Sequence, residues 1–266
     1  MRACDGYDAI SAVYDLLNAD IDYVKWADFV EAAFKRFSAA KPEIVLDLAC
    51  GTGRMTLEMA SRGYDMIGVD GSEDMLSRAY ENMYERGLGS VLFLNQDMRS
   101  FELYGTVGAT LCCLDSVNYL LGADDLRACF SCVHNYLDPD GLFLFDVNTP
   151  YKFKHVYGDN AYVLENELEL GDGEYAAVYC GWQNEYDEKS GNCDFYLSLF
   201  EELEDGAYRR SDEHQREHCF SLDELKGALK SSGFEFLGCY SDFDFTDAAN
   251  DPEAHRWYIA ARCKKN

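Results

Sequence analysis

Val45-Leu46-Asp47-Leu48-Ala49-Cys50-Gly51-Thr52-Gly53-Arg54-Met55-Thr56 is the stretch that decides the fold. Residues 44–49 form a short apolar run, which reads as a buried strand. Two glycines follow, and residues 54–62 then carry a helical pattern closed by Gly63. Strand, glycine turn and helix in that order let the backbone approach a ligand. They also aim the unpaired N–H groups of a helix start at it. In an open parallel sheet such a ligand lies beyond the carboxyl ends of the strands, where the strand order reverses.

The alternation continues outward. Residues 66–69, 91–94, 109–114 and 142–147 read as strands. Residues 72–86, closed by Gly87, and 124–136, ending at Asp138-Pro139-Asp140-Gly141, read as helices. Strands separated by helices predict parallel crossover units and a doubly wound α/β sheet. Ahead of them, residues 8–38 are helical in pattern. Ile10, Val13, Tyr14 and Leu17 form one stripe, and Tyr23, Trp26, Phe29, Val30, Phe34 and Phe37 a second. Asn18-Ala19-Asp20 breaks the two, and Lys41-Pro42 stops the second.

The pattern changes after Pro150. Residues 162–220 are strand-like and punctuated by Gly171-Asp172-Gly173, Ser190-Gly191-Asn192 and Glu204-Asp205-Gly206, which predicts about four antiparallel strands. Ser221 and Glu224 then form a capping box that opens a helix to Ser231, and strands follow at 234–240 and 257–263. The expected organisation is an α/β core of residues 1–150 and 218–266, with residues 151–217 as an inserted antiparallel subdomain. Its position suits a lid, a substrate wall or a contact between two subunits.

The chain has 266 residues, 48 % of them hydrophobic and 14 % aromatic, enough for a sizeable core and too apolar for disorder. Asp and Glu number 49 against 23 Lys and Arg, a formal charge of −26. Such a surface repels phosphate backbones and anionic membranes, and no basic run exceeds Arg209-Arg210 or Lys264-Lys265. The acidity reads as a device for solubility, with weak steering of a cationic substrate as the alternative. An odd count of 11 cysteines is no disulfide framework and predicts a reducing compartment. Met1-Arg2-Ala3-Cys4-Asp5 is followed by no apolar stretch, and no window is long enough to span a bilayer, so a cytoplasmic protein is expected.

The glycine loop suits a dinucleotide or an adenosyl amino acid. Thr56 stands where the dinucleotide pattern has its third glycine. Asp47, just before the loop, suits an ammonium group better than a pyrophosphate. Asp70 ends the second strand, 17 residues after Gly53, where an acid can accept from ribose hydroxyls in either ligand. The first two features favour the amino acid.

Asp47-Leu48-Ala49-Cys50-Gly51-Thr52-Gly53, then Gly68-Val69-Asp70-Gly71-Ser72, then Gln96-Asp97-Met98, resembles the class I S-adenosylmethionine-dependent methyltransferases over residues 43–147. The resemblance implies a mostly parallel seven-stranded sheet and S-adenosyl-L-methionine as cofactor. It places Asp47, Ala49 and Gly51 around the methionine end, with Cys50 and Arg54 beside them and Gly53 shaping the turn. Asp70 would hold the ribose. Gly71 and Met75 would lie on the adenine, with Gln96, Asp97 and Met98 at its edge. Leu114 and Asp115 would border the methionine tail. Tyr14, Tyr23 and Trp26 also resemble the N-terminal region of glycine and amino-sugar N-methyltransferases, which implies that Tyr14 and Trp26 close over the cofactor. An aromatic face beside a sulfonium is a cation–π contact.

Methyl transfer from a sulfonium is an in-line displacement, so alignment and water exclusion matter more than acid–base chemistry. No catalytic residue is assigned. Asn118, Tyr119, Tyr151, His155, His214 and Arg216 are candidates to orient a small-molecule acceptor through nitrogen or oxygen. Cys129, Cys132 and His134 resemble half a metal site, but no second pair stands at the right spacing and the cysteines fit an apolar helix face; no metal is expected. A nicotinamide-dependent oxidoreductase and a non-enzymatic cofactor-binding module stay open as alternatives, and the chain is expected to act as a monomer or homodimer.

Overall fold

The computed structural model describes residues 4–5, 11, 13–38, 40–89, 91–171 and 174–265. Ile10 and most of the start of the expected first helix lie outside the described residues, as do the turn residues Asp172 and Gly173. The chain opens with β1 (Cys4–Asp5), α1 (Tyr14–Leu17) and α2 (Tyr23–Phe37). The alternating part follows: β2 (Ile44–Leu48), α3 (Arg54–Ser61), β3 (Asp65–Asp70), α4 (Glu73–Glu85), β4 (Leu92–Asn95), β5 (Val107–Cys112), α5 (Ala123–Tyr136), β6 (Leu137–Asn148) and α6 (Pro150–Lys152). Four long strands come next, β7 (Ala161–Gly171), β8 (Glu174–Asp187), β9 (Asn192–Glu202) and β10 (Tyr208–His218). The chain closes with α7 (Leu222–Ser231), β11 (Phe234–Tyr240) and β12 (Arg256–Cys263).

Seven strands form one sheet in the order β11-β12-β6-β5-β2-β3-β4. Pairs β2–β3, β3–β4, β2–β5 and β5–β6 are parallel, and β12 runs antiparallel to both its neighbours. The chain steps outward from β2 through β3 and β4 on one side, and through β5 and β6 on the other. The switch point therefore lies at the carboxyl ends of β2 and β5, directly above the glycine turn. Leu126, Cys129, Phe130 and Val133 of α5 and Leu225 and Leu229 of α7 cover one face; α2 and α3 cover the other. Cys129 is thus a core residue. Four long strands, with β1 added at one edge, form a second sheet in the order β1-β10-β9-β8-β7. Its inner face, Val178, Cys180, Cys193, Phe195, Leu197 and Leu199, packs on Val13 and Phe153.

Local chemistry sets the boundaries. Asp22 caps α2 by accepting from the Lys25 N–H, Ser72 caps α4 by accepting from Met75, and Ser221 with Glu224 completes the capping box of α7. Three features differ from the sequence pattern. β6 begins at Leu137, because Asp138–Gly141 form an excursion between the paired positions Val107↔Leu137 and Ala109↔Leu142 rather than a free turn. α6 and the π turn over Phe153–Tyr157 are too short to show a helical period. α1 has only four residues. No helix among the described residues is long and apolar enough to cross a membrane.

Candidate active site

A cavity of about 970 Å³ opens at the carboxyl ends of β2, β3, β4 and β5. Its floor is the glycine turn. Gly51, at φ 54°, has open space where a side chain would stand, and Gly71 likewise. Gly53 does not face the cavity. It shapes the turn from beneath, at φ 75°, where a Cβ would come within 3.0 Å of Ala79 and Phe93. Tyr14, Asp47, Ala49, Cys50, Gly51 and Arg54 line it around the glycine turn, and Asp70, Gly71, Met75, Gln96, Asp97 and Met98 line it past the ends of β3 and β4. Leu114 closes the far end.

The acids differ in state. Asp47 is buried, and loss of solvent pushes its carboxyl up to about 7, against the bond from the Thr56 hydroxyl at 2.5 Å. Thr56, the residue in the place of a third glycine, is therefore the partner that holds Asp47. Asp70 accepts from the Gly51 N–H at 2.7 Å and the Ser72 N–H at 2.9 Å. Burial raises its carboxyl, and these bonds oppose the rise. Asp97 sits at the rim, where bonds from the Arg99 side chain hold its carboxyl below the ordinary range. Gln96 spends its amide on Glu102, with bonds of 2.6 and 3.1 Å, and so shapes its own loop.

The set fits an adenosyl amino acid. Arg54 lines the cavity with its side chain partly exposed, a guanidinium that a carboxylate would meet. Asp47 beside it would take an ammonium, and Asp70 retains lone pairs for hydroxyls. α1 crosses this end. Its Asp15 accepts from Thr52 Oγ1 at 2.6 Å, Asn82 Nδ2 at 3.2 Å and Arg54 Nη1 at 3.4 Å. That latch holds Tyr14 against the cavity, where burial raises its phenol well above the ordinary value.

Trp26 does not reach the site, contrary to expectation. It is buried in an aromatic cluster, edge-on to Phe243 at 5.2 Å and Tyr258 at 5.1 Å. One turn earlier, Tyr23 lines the cavity instead, with Arg54 over its ring at 5.4 Å.

Past β5 the backbone takes two consecutive left-handed residues, Leu114 at φ 60° and Asp115 at φ 56°. Asp115 does not line the cavity. Its carboxylate points into a buried cluster, 2.8 Å from Arg256 Nη2 and 3.0 Å from Asn148 Nδ2. Asn118 is structural as well: it donates to the His218 carbonyl at 2.8 Å and accepts from the Asn148 N–H at 2.9 Å. Tyr119 does line the cavity, and its hydroxyl donates to Gln215 Oε1 at 2.8 Å.

The other acceptor candidates lie elsewhere. Tyr151 and His155 lie tilted against each other outside the cavity, with ring centroids 4.6 Å apart and His155 exposed. His214 and Arg216 point outward from β10 and share Asp194, at 2.6 and 2.7 Å. The inward face of the same strand carries Glu213, Gln215 and Glu217, all buried. Period-two alternation holds, but the face toward the site is the one whose polar residues read as solvated.

Comparison with known proteins decides the family. Residues 45–141 match a methyltransferase domain model. A Bacillus subtilis (strain 168) protein that bears a methyltransferase name, YqeM, is 31 % identical, over 97 % of this chain and 98 % of its own. The chain belongs to the S-adenosylmethionine-dependent methyltransferases. The crystal structure of an S-adenosylmethionine-dependent methyltransferase from Clostridium acetobutylicum ATCC 824 superposes with a TM-score of 0.81, at 28 % identity, covering 98 % of this chain and 100 % of that one. The methyltransferase is also 25 % identical to a glycine/sarcosine N-methyltransferase of Halorhodospira halochloris, over 90 % of this chain and 82 % of the relative. S-adenosylmethionine is its cofactor, and the nicotinamide and non-enzymatic alternatives are set aside.

Proposed function

We propose that this methyltransferase transfers the methyl group to a nitrogen of a small molecule bound at the far end of the cavity. The observation that carries the reading is the makeup of the cavity lining, where the phenols of Tyr14, Tyr23 and Tyr119 stand with Ser116, Cys113 and Leu114. Electron-rich ring faces suit a cationic centre. An alcohol acceptor needs a free base for its proton, and the two buried acids of the cavity are already engaged, Asp47 by the Thr56 hydroxyl and Asp70 by the Gly51 and Ser72 N–H groups. An amine that has shed its proton attacks with its own lone pair. The charge balance agrees: Asp47, Asp70, Glu73, Asp74 and Asp97 outnumber Arg54 and Arg99, which are themselves ion-paired. The Halorhodospira halochloris relative, named for glycine and sarcosine, supports nitrogen.

Bound S-adenosylmethionine supplies a methyl group already activated on sulfur. The chain's own residues place it and keep water out. In this reading Arg54 receives the methionine carboxylate, Asp47 and Ala49 the ammonium, Asp70 the ribose, and Asp97 and Met98 the adenine edge. Residues 151–217 act as a lid, since Gln215 and Glu217 reach the core from the inner face of the second sheet. A charge of −26 supports a small-molecule partner over nucleic acid, and ten described cysteines with free thiols support a reducing cytoplasm.

The test is S-adenosylhomocysteine formation with a panel of small primary and secondary amines beside matched alcohols and phenols. Amine-dependent turnover, with a higher acceptor KM in Tyr119→Phe, supports the reading. Turnover with alcohols alone contradicts it.

A further inference from the structure

Leu114 and Asp115 are consecutive, neither is glycine, and both hold left-handed φ. Such a pair persists only where its surroundings over-determine it. Here one carboxylate does so. Asp146, fully buried near the end of β6, accepts the Leu114 N–H at 2.7 Å on one oxygen and the Asp115 N–H at 2.9 Å on the other. Arg256 of β12 then bridges two acids: its Nη1 donates to Asp146 and its Nη2 lies 2.8 Å from Asp115. The second Asp115 oxygen accepts from Asn148, whose Nδ2 also reaches Glu217 of β10 at 3.1 Å. The segment braced this way is a wall of the cavity, since Cys113, Leu114 and Ser116 line it.

Neither Asp146 nor Arg256 faces the cavity. We propose that they are positioning residues for methyl transfer, locking Leu114–Asp115 in the left-handed form that sets the wall between the cofactor and acceptor ends. The inference rests on the cavity being the cofactor site. In-line displacement tolerates little misplacement, so releasing this wall is felt in binding and turnover as well as in the fold. Asn148 and Glu217 extend the brace to the second sheet, so the wall and the sheet above it are held as one unit.

Asp146→Asn keeps the shape but sets an N–H₂ where one of two acceptors stood. Calorimetric titration of the full chain with S-adenosylmethionine, well below the unfolding temperature, is expected to give about fivefold or more weaker binding. A smaller change in folded protein overturns the proposal. If Asp146→Asn does not fold, Arg256→Lys decides by the same threshold, because lysine keeps the charge but lacks the planar fork whose two nitrogens each meet one carboxylate. Leu114→Gly in the Asp146→Asn background separates positioning from plain structure. Glycine takes positive φ without a side-chain clash, so affinity recovers relative to the single variant; further loss overturns the proposal. Asp70→Ala serves as the control for the site. Unchanged binding there overturns the cofactor site itself, and the proposal with it. Lost binding there, with Asp146→Asn and Arg256→Lys unaffected, overturns only the positioning role.

Discussion

With Asp47 at the ammonium, as proposed, S-adenosylmethionine binding is expected to depend on pH. The side chain is 2 % exposed, and burial pushes its carboxyl up to about 7. Thr56 opposes the rise and the Asp70 charge adds to it. A ligand with an ammonium and a sulfonium prefers the ionised carboxylate. Below about pH 7 the free protein therefore holds a proton that must leave before the ligand settles, and affinity falls as pH falls. About half of the molecules are ionised at pH 7 and about one in a hundred at pH 5. The loss between the two is about fiftyfold, or about 2 kcal/mol. Calorimetry at pH 5, 6 and 7 in two buffers of different ionisation enthalpy reads both the affinity and the proton released. The Asp70 carboxyl is raised too and adds to the slope in the same direction. The decisive comparison is thus Asp47→Asn, in which Asp47's share disappears. A flat profile, or the same slope in Asp47→Asn, refutes the reasoning.

Two further predictions concern the elements around the cavity. Asp15→Ala removes three partly buried acceptor bonds that tie α1 to the glycine turn. At about 0.5–1 kcal/mol each, their loss weakens S-adenosylmethionine binding by about ten- to hundredfold and speeds hydrogen exchange over residues 13–18; unchanged exchange contradicts the latch. Trp26→Phe trims an aromatic cluster away from the cavity. It lowers thermal stability by about 1–2 kcal/mol and leaves cofactor affinity unchanged, and a loss of affinity at intact stability would return Trp26 to the site.

The sheet was legible because its signals are local. A strand that ends in Asp47 to Gly53, and another that ends in Asp70, declare themselves through apolar runs, glycines and caps within a few residues. The glycine turn and the end of β3 lie on those same segments, so their meeting at one cavity was legible too. The far end was not. It is assembled from β5, β6, β10 and β12, whose contacts span up to about a hundred residues, such as Asn118 with His218. Alternation along β10 identified two faces but not which one turns inward, and histidine and arginine drew attention to the wrong one. The missed residues did leave a trace. Asp146 interrupts the run Leu142-Phe143-Leu144-Phe145-Asp146-Val147, and an acid inside a buried strand needs a partner that sequence does not name. Arg256, 110 residues away, is that partner.

The central claim is that the glycine turn and Asp70 form the S-adenosylmethionine site, and calorimetric titration with S-adenosylmethionine, beside NAD and in Asp70→Ala, tests it most directly. Loss of two hydrogen bonds to a charged acceptor costs about 3 kcal/mol, so the account predicts binding to the wild-type chain, about hundredfold weaker binding to Asp70→Ala, and none of NAD. Equal affinity in Asp70→Ala, or tighter binding of NAD, would contradict it.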